Sequence, residues 1–280
     1  MYPTLIKIGA FEITTFGVMM FLAFIIGGWV LAKQLRRYGM DDEIASSIVV
    51  AGALGGIIGA KIYYAILFQD WRLLFDRAGL VWYGGLIGGA AAVSWVLYRR
   101  KVDFWLTADC VAPGLAIGYA LGRIGCFLVG DDYGRPTDAW FGVAFPRGAP
   151  PTTARSLREF GVNIDPSIPG DTILRVHPTQ LYEAGAALVM FLVLARMNAR
   201  PHVRGRVFGL FLILLGIERF LVEIVRAKDD RFLGAFTIAQ LISVLLVVVG
   251  VVLMSSFSSV ASPEPASRAK RGISGTTARK

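Results

Sequence analysis

Arg123, Arg219, Glu223 and Arg226 each fall inside or at the edge of a long apolar stretch, where a charged side chain needs a reason to be. An ionisable group near a bilayer centre costs roughly 2.5 to 3.5 kcal/mol on insertion scales, so each one kept there is a functional candidate by default. Positions 219, 223 and 226 are related by steps of four and three and therefore share one helix face. Arg123 lies in Gly-Arg-Ile-Gly-Cys-Phe-Leu-Val-Gly-Asp, positions 122–131, whose glycines let another helix or a ligand approach the backbone beside it. Two arginines from two segments suit a phosphate in a low-dielectric cleft, because each guanidinium presents a planar fork of donors. The plainer alternative is an Arg219–Glu223 ion pair that only staples its helix, with Arg123 snorkelling to the interface. Asp109 and Glu218 are two further ionisable groups in apolar stretches.

Other motifs surround these. Lys61, which follows Gly-Gly-Ile-Ile-Gly-Ala, is either a snorkelling lysine or another cation of the same site. Glycines 52, 55, 56 and 59 and glycines 84, 85, 88 and 89 predict close helix packing. Tyr83-Gly84-Gly85 offers more, since a phenol followed by two glycines presents a hydroxyl and bare backbone amides to a ligand. His177-Pro-Thr-Gln180-Leu-Tyr-Glu183 opens an apolar stretch, with Pro178 suited to a first helical turn, which puts His177 at the interface. His202, in a basic loop, suggests no chemistry. Cys110 and Cys126 are sixteen positions apart in one apolar segment, about 24 Å if helical, too far for a disulfide. Cys126 is expected to be an inert thiol because of its apolar surroundings, whereas its place beside Arg123 argues for a reactive one. Metal-ligand spacing, Walker loop, dinucleotide fingerprint and nucleophile elbow are all missing from the sequence, so no metal or cofactor is expected.

The elements that must position these residues follow from composition. The chain has 280 residues, 55% apolar and only 18% charged, against roughly 25% charged in soluble domains. An ordinary soluble enzyme is excluded. The net charge of +9 does not indicate nucleic acid, because the basic residues lie between apolar blocks and not on one solvated face. Those blocks, at about 12–32, 44–68, 80–98, 106–129, 178–195, 207–225 and 234–255, are near the roughly 20 residues needed to cross a bilayer. The fold class is therefore an all-α polytopic membrane protein with about seven spans. Basic residues cluster after spans one, three and five and in the C-terminal tail, so the positive-inside rule places the N-terminus outside and the C-terminus in the cytoplasm. The first apolar block runs into Lys33, Arg36 and Arg37 and is expected to stay in the protein, not to act as a cleaved signal. Residues 131–176, rich in Pro and Gly, should form a small extracytoplasmic head between spans four and five, with a short strand at 138–146. Residues 1–255 make one membrane domain, and 256–280 a basic disordered tail.

Seven spans, an outward N-terminus, the head, and Gly122-Arg123-Ile-Gly125-x-Phe127 together resemble the prolipoprotein diacylglyceryl transferase family. The string His177-Pro-Thr-Gln-Leu-Tyr-Glu183 looks like the family's His-Pro-Ser-Gln-Leu-Tyr-Glu. Gly209-Leu-Phe-Leu with Arg219-Phe-Leu-Val-Glu223-x-x-Arg226 looks like its sixth helix, and Thr237-x-x-Gln240 like its seventh. The resemblance implies an enzyme of the bacterial inner membrane that moves an sn-1,2-diacylglyceryl group from phosphatidylglycerol to the lipobox cysteine of a prolipoprotein signal peptide. It implies catalytic roles for Arg123, Arg219, Tyr83 and Glu223. It further implies substrate contacts by Arg123, Gly84, Gly85, Asp131 (in place of a family glutamate), Lys61, Arg226, His177 and Gln180. Its partners would be phosphatidylglycerol, the signal peptide and the bilayer, without nucleic acid. Tyr83 stands where the family usually has His, Cys126 where it has Asn, Leu215 where it has Tyr, Phe16 where it has Tyr, and Lys61 where it has Arg. These differences leave open a relative that binds the lipid without catalysis or serves another acceptor. A solute transporter, which would show internal repeats with broken helices, ranks last because no repeat is visible.

Overall fold

The computed structural model describes residues 4–8, 11–76, 79, 81–228, 231–233 and 236–256. Its long helices are α1 (Thr15–Arg37), α2 (Asp42–Phe68), α3 (Trp82–Arg100), α4 (Phe104–Val129), α6 (Thr179–Asn198), α7 (Arg206–Val225) and α8 (Ile238–Ser256). They match the seven expected spans. Five of them, α1, α2, α4, α6 and α8, are long and apolar enough to cross a membrane on length and composition alone. The run of α7 is interrupted by Glu218, Arg219 and Glu223, and α3 is rich in glycine.

Helix starts are set by local chemistry. Thr14, Asp41 and Asp103 each accept a hydrogen bond from a first-turn amide: Gly17 at 3.1 Å, Glu43 at 3.1 Å and Leu106 at 2.7 Å. The first span begins later than the apolar pattern suggests. Residues 11–14 form β2, paired antiparallel with β1 (Thr4–Ile8), and the chain turns helical only after the Thr14 cap. The last span likewise begins at Ile238, because Arg231–Leu233 and Phe236–Thr237 form a short hairpin, β5–β6. The basic tail beyond residue 256 lies outside the described residues.

The glycine clusters do what their spacing predicts. A Cβ on Gly59 would overlap the Gly84 carbonyl, and one on Gly88 would overlap that of Gly55, so α2 and α3 pack backbone to backbone only because these positions lack side chains. Helix α1 packs on α4, and α7 on α8. The innermost apolar core joins α4, α6 and α7 through Ala112, Ala116, Ala120, Ala187, Leu194 and Phe211. These three helices carry Asp109, Arg123, Glu183, Glu218, Arg219 and Glu223.

The head between α4 and α6 has its own core of Tyr133, Phe145, Leu157 and Val176. The strand expected at 138–146 is confined to β3 (Val143–Ala144), paired with β4 (Arg175–Val176). Before it, the Gly142 amide bonds the Ala139 carbonyl at 3.0 Å and turns the chain. A single short helix, α5 (Ala154–Glu159), fits the Pro-rich composition. The head is tied to the bundle by backbone hydrogen bonds. Gly134 N donates to His177 O at 2.8 Å, and Arg135 N to Val225 O at 2.8 Å, so the ends of α4 and α7 and the start of α6 meet at one place. Cys110 and Cys126 are free and buried, as their spacing implies.

Candidate active site

Helix α4 ends at Gly130 (φ 78°), and Asp132 (φ 53°) follows in a second left-handed conformation. Gly130 N and Asp131 N both return to the Cys126 carbonyl, at 2.8 and 3.2 Å. This tight reversal brings the first residues of the head over the end of the helix that carries Arg123.

Six side chains of alternating charge form a continuous string there. Arg123 reaches Glu183 at 3.0 Å and Asp132 at 2.9 Å. Asp132 uses its other oxygen for Arg226 at 2.6 Å. Arg226 lies 3.7 Å from Glu223, and Glu223 lies 2.5 Å from Arg219. The string joins α4, α6, α7 and the head. Tyr119 lies under it, its ring 5.5 Å from the Arg123 guanidinium and its hydroxyl 3.0 Å from Glu183 and 3.4 Å from Glu218.

Burial orders the string. Glu183 and Glu223 are almost fully enclosed, at 3% and 1% side-chain exposure, the arginines are 16–20% exposed, and Asp132 is 39% exposed. The inner carboxylates therefore hold the guanidiniums from behind while Asp132 closes the outer side. Burial alone would push the Asp132 carboxyl up, but Arg226 and Arg123 together hold it below the ordinary carboxylate range. Burial, reinforced by the neighbouring Asp132, raises its neighbour Asp131. Nη1 of Arg219 and Nε of Arg123 are buried and have no hydrogen-bond acceptor among the described residues. Such donors are costly to leave unmade, and an entering anion would satisfy them.

The structure brings together Arg123, Arg219, Glu223 and Arg226, as their spacing suggests. The carboxylate that meets the arginines is Asp132, whereas Asp131 offers its carbonyl to Gln180 and keeps one buried carboxylate oxygen without a hydrogen-bond partner. Gln180, fully buried, thus positions the reversal. His177 is held in the head junction by its backbone, with its ring 3.2 Å from the Tyr182 hydroxyl. Lys61, Tyr83, Gly84 and Gly85 belong to the α2–α3 hairpin and do not join the string. Lys61 donates to the Asp76 carbonyl, Tyr83 is 40% exposed and edge-on to Trp82, and Gly84 and Gly85 face Gly59 and Gly56 in the helix contact.

Sequence reasoning assigned no site role to Asp132, Glu183 or Tyr119. Glu183 had a signal, because it is an ionisable group four residues into an apolar helix. Asp132 differs from Asp131 by one position in a reversal whose direction no periodicity sets. Tyr119 is an uncharged aromatic in an apolar helix and gives no signal.

Cys126 and the two aspartates place their ligand atoms within 4.8 Å of one another. The Arg123 guanidinium stands 3.7 Å from the Cys126 sulfur and is bonded to Asp132, so a cation held there would meet its positive charge.

Residues 3–256 match the family described as prolipoprotein diacylglyceryl transferase. A Vibrio cholerae serotype O1 protein named phosphatidylglycerol–prolipoprotein diacylglyceryl transferase is 31% identical over 266 residues, covering 90% of each chain. A protein of the same name from Aliivibrio fischeri is 30% identical over 290 residues, covering 96% of each, and one from Aliivibrio salmonicida is 32% identical over 268 residues, covering 90% of this chain and 86% of its own. The chain, with its arginine–carboxylate string at the head end of a seven-helix bundle, belongs to the prolipoprotein diacylglyceryl transferase family.

Proposed function

We propose that this protein transfers the sn-1,2-diacylglyceryl group of phosphatidylglycerol to the thiol of a lipobox cysteine in a prolipoprotein signal peptide. The observation that carries the reading is the string Glu183–Arg123–Asp132–Arg226–Glu223–Arg219, with unsatisfied donors on two of its arginines. Its six members sum to no net charge, so it would recognise phosphate by aimed N–H groups more than by overall potential.

In the reaction, the thiol loses its proton and its sulfur bonds to the glycerol carbon that bears the phosphate. The carbon–oxygen bond breaks, its electron pair leaves with glycerol phosphate, and a thioether remains. Charge grows on the leaving phosphate, and guanidiniums fixed in a dry cleft stabilise it without reorganising. Arg123, Arg219 and Arg226 are assigned that role, and Glu183 and Glu223 hold them in position. Asp132, the exposed carboxylate between Arg123 and Arg226, occupies the place an incoming phosphate would take. A free thiol has a pKa near 8.5, so the attacking group needs a base or a nearby cation. Tyr83 is assigned to the thiol side of the reaction, with the α2–α3 hairpin carrying it. Asp131, Lys61, Gly84, Gly85, His177 and Gln180 are assigned to the substrate surroundings. The protein acts in the bacterial inner membrane with its head outside, where signal peptides emerge.

The test is an assay of purified protein with phosphatidylglycerol vesicles and a lipobox peptide, read by peptide mass. A diacylglyceryl mass gain that falls by about 10²- to 10³-fold in Arg123→Ala is expected, the usual loss on removing one aimed donor. Lipid binding without any mass gain would instead favour the altered-acceptor reading that Tyr83, Cys126 and Leu215 suggest.

A further inference from the structure

At the end of the bundle opposite the string, where α6 gives way to α7, lies a second basic site that the transfer chemistry does not use. Arg196, Arg200 and Arg206 line a cleft of about 450 Å³ together with Val193, Met197 and Pro201. Among the described residues no carboxylate lines it, and none of these three arginines has an ion-pair partner. Nε of Arg206 is buried without an acceptor. His202 also borders the cleft, but its ring is committed to Asp109 at 3.2 Å and to the Arg200 carbonyl at 2.8 Å, which fixes the loop that carries Arg200. Val189, Leu192 and Val193, exposed on α6, share a helical face with Arg196 and lead away from the cleft along the bundle.

We propose that this cleft binds the phosphate of an anionic phospholipid, with its acyl chains laid along the exposed face of α6. Three unpaired arginines select a negative headgroup, and the apolar wall continuous with a lipid-facing helix selects a diacyl lipid over a free anion. The site is separate from the transfer site, because Asp109 and Arg123 mark opposite ends of α4.

The test uses the full-length protein in phosphatidylcholine nanodiscs doped with phosphatidic acid that carries a photoreactive group in its acyl chain, with peptide mapping after irradiation. Labelling of residues 186–200 is expected, and in Arg200→Gln/Arg206→Gln about thirtyfold more probe should be needed for half-maximal labelling, at roughly fivefold per arginine. Unchanged labelling in this variant overturns the proposal. So does equal labelling of the wild-type segment by a photoreactive phosphatidylcholine, a comparison that stands even if the variant fails to fold. Displacement by inorganic phosphate as effective as by unlabelled phosphatidic acid would show a free-anion site and overturn the lipid assignment.

Discussion

Arg219 shows how one side chain can be both held and available. One of its terminal nitrogens is 2.5 Å from Glu223, and the other is buried without an acceptor. A lysine in its place keeps the charge but has no second prong, so it can satisfy either Glu223 or the substrate phosphate along a fixed direction, not both. Arg219→Lys should therefore remain at least about 10²-fold below wild type in the transfer assay, and near-complete rescue would mean that only charge matters. Asp132 makes the opposite case. As the most exposed member of the string, bridging two arginines, it competes with a phosphate for the same donors. Asp132→Asn removes that competition, and the KM for phosphatidylglycerol should fall by roughly fivefold, the effect of one favourable charge near a membrane surface. A rise in KM would show instead that Asp132 positions Arg123 and Arg226. Tyr83 stands apart from the string, and Tyr83→Phe separates its hydroxyl from its ring. A loss of about 10²-fold or more, dependent on pH, is expected of a group that moves the thiol proton, and unchanged activity across pH removes it from that role.

At the scale of elements, the arginines were legible because charge inside an apolar helix is expensive and helical spacing is known. Steps of four and three put 219, 223 and 226 on one helix face from the sequence alone. The partners that join different elements were not legible, because Asp132 depends on two left-handed residues after α4 and Glu183 on how α6 packs against α4. The other end of α4 illustrates the same limit. His202 carries no motif, yet both of its ring nitrogens face acceptors, the Asp109 carboxylate and the Arg200 carbonyl, which only the doubly protonated ring satisfies. Asp109 also accepts from Gly205 N at 2.7 Å and Phe208 N at 2.8 Å, so the pair pins the start of α7 to α4. Burial alone would lower the His202 pKa, but its bonds to Asp109 and the Arg200 carbonyl and the Asp109 charge outweigh burial and the opposing charge of Arg206. A histidine whose folded pKa is raised stabilises fully below its unfolded value, near 6.5, and loses that contribution as pH rises through the folded value. The thermal midpoint of the detergent-purified protein should fall as pH rises above about 6.5, and His202→Gln should flatten that dependence. A slope unchanged by the substitution would assign the effect to other groups.

For the whole molecule, the sequence separates two ends that the structure equips differently. The head gathers over the arginine string through the Gly134–His177 and Arg135–Val225 backbone bonds, and the opposite end carries Arg196, Arg200 and Arg206. Seven crossings by the long helices would put the chain's two ends on opposite sides of the bilayer, and on the positive-inside rule the greater density of Lys and Arg after spans one, three and five would put the basic end in the cytoplasm, the orientation proposed above. This orientation matters to the proposed chemistry, because a signal peptide could meet the string only if the head faced outward. It can be read with single cysteines. The native thiols, Cys110 and Cys126, are buried at 0% and 7% exposure and should give little background with a bulky, membrane-impermeant maleimide. Asp171 in the head and Arg99 at the end of α3 are both exposed, so Asp171→Cys and Arg99→Cys report the two sides. In intact spheroplasts the reagent should label position 171 and spare 99, and in inverted membrane vesicles it should do the reverse. The opposite pattern would turn the molecule over, and it would place the arginine string on the side where emerging signal peptides cannot reach it.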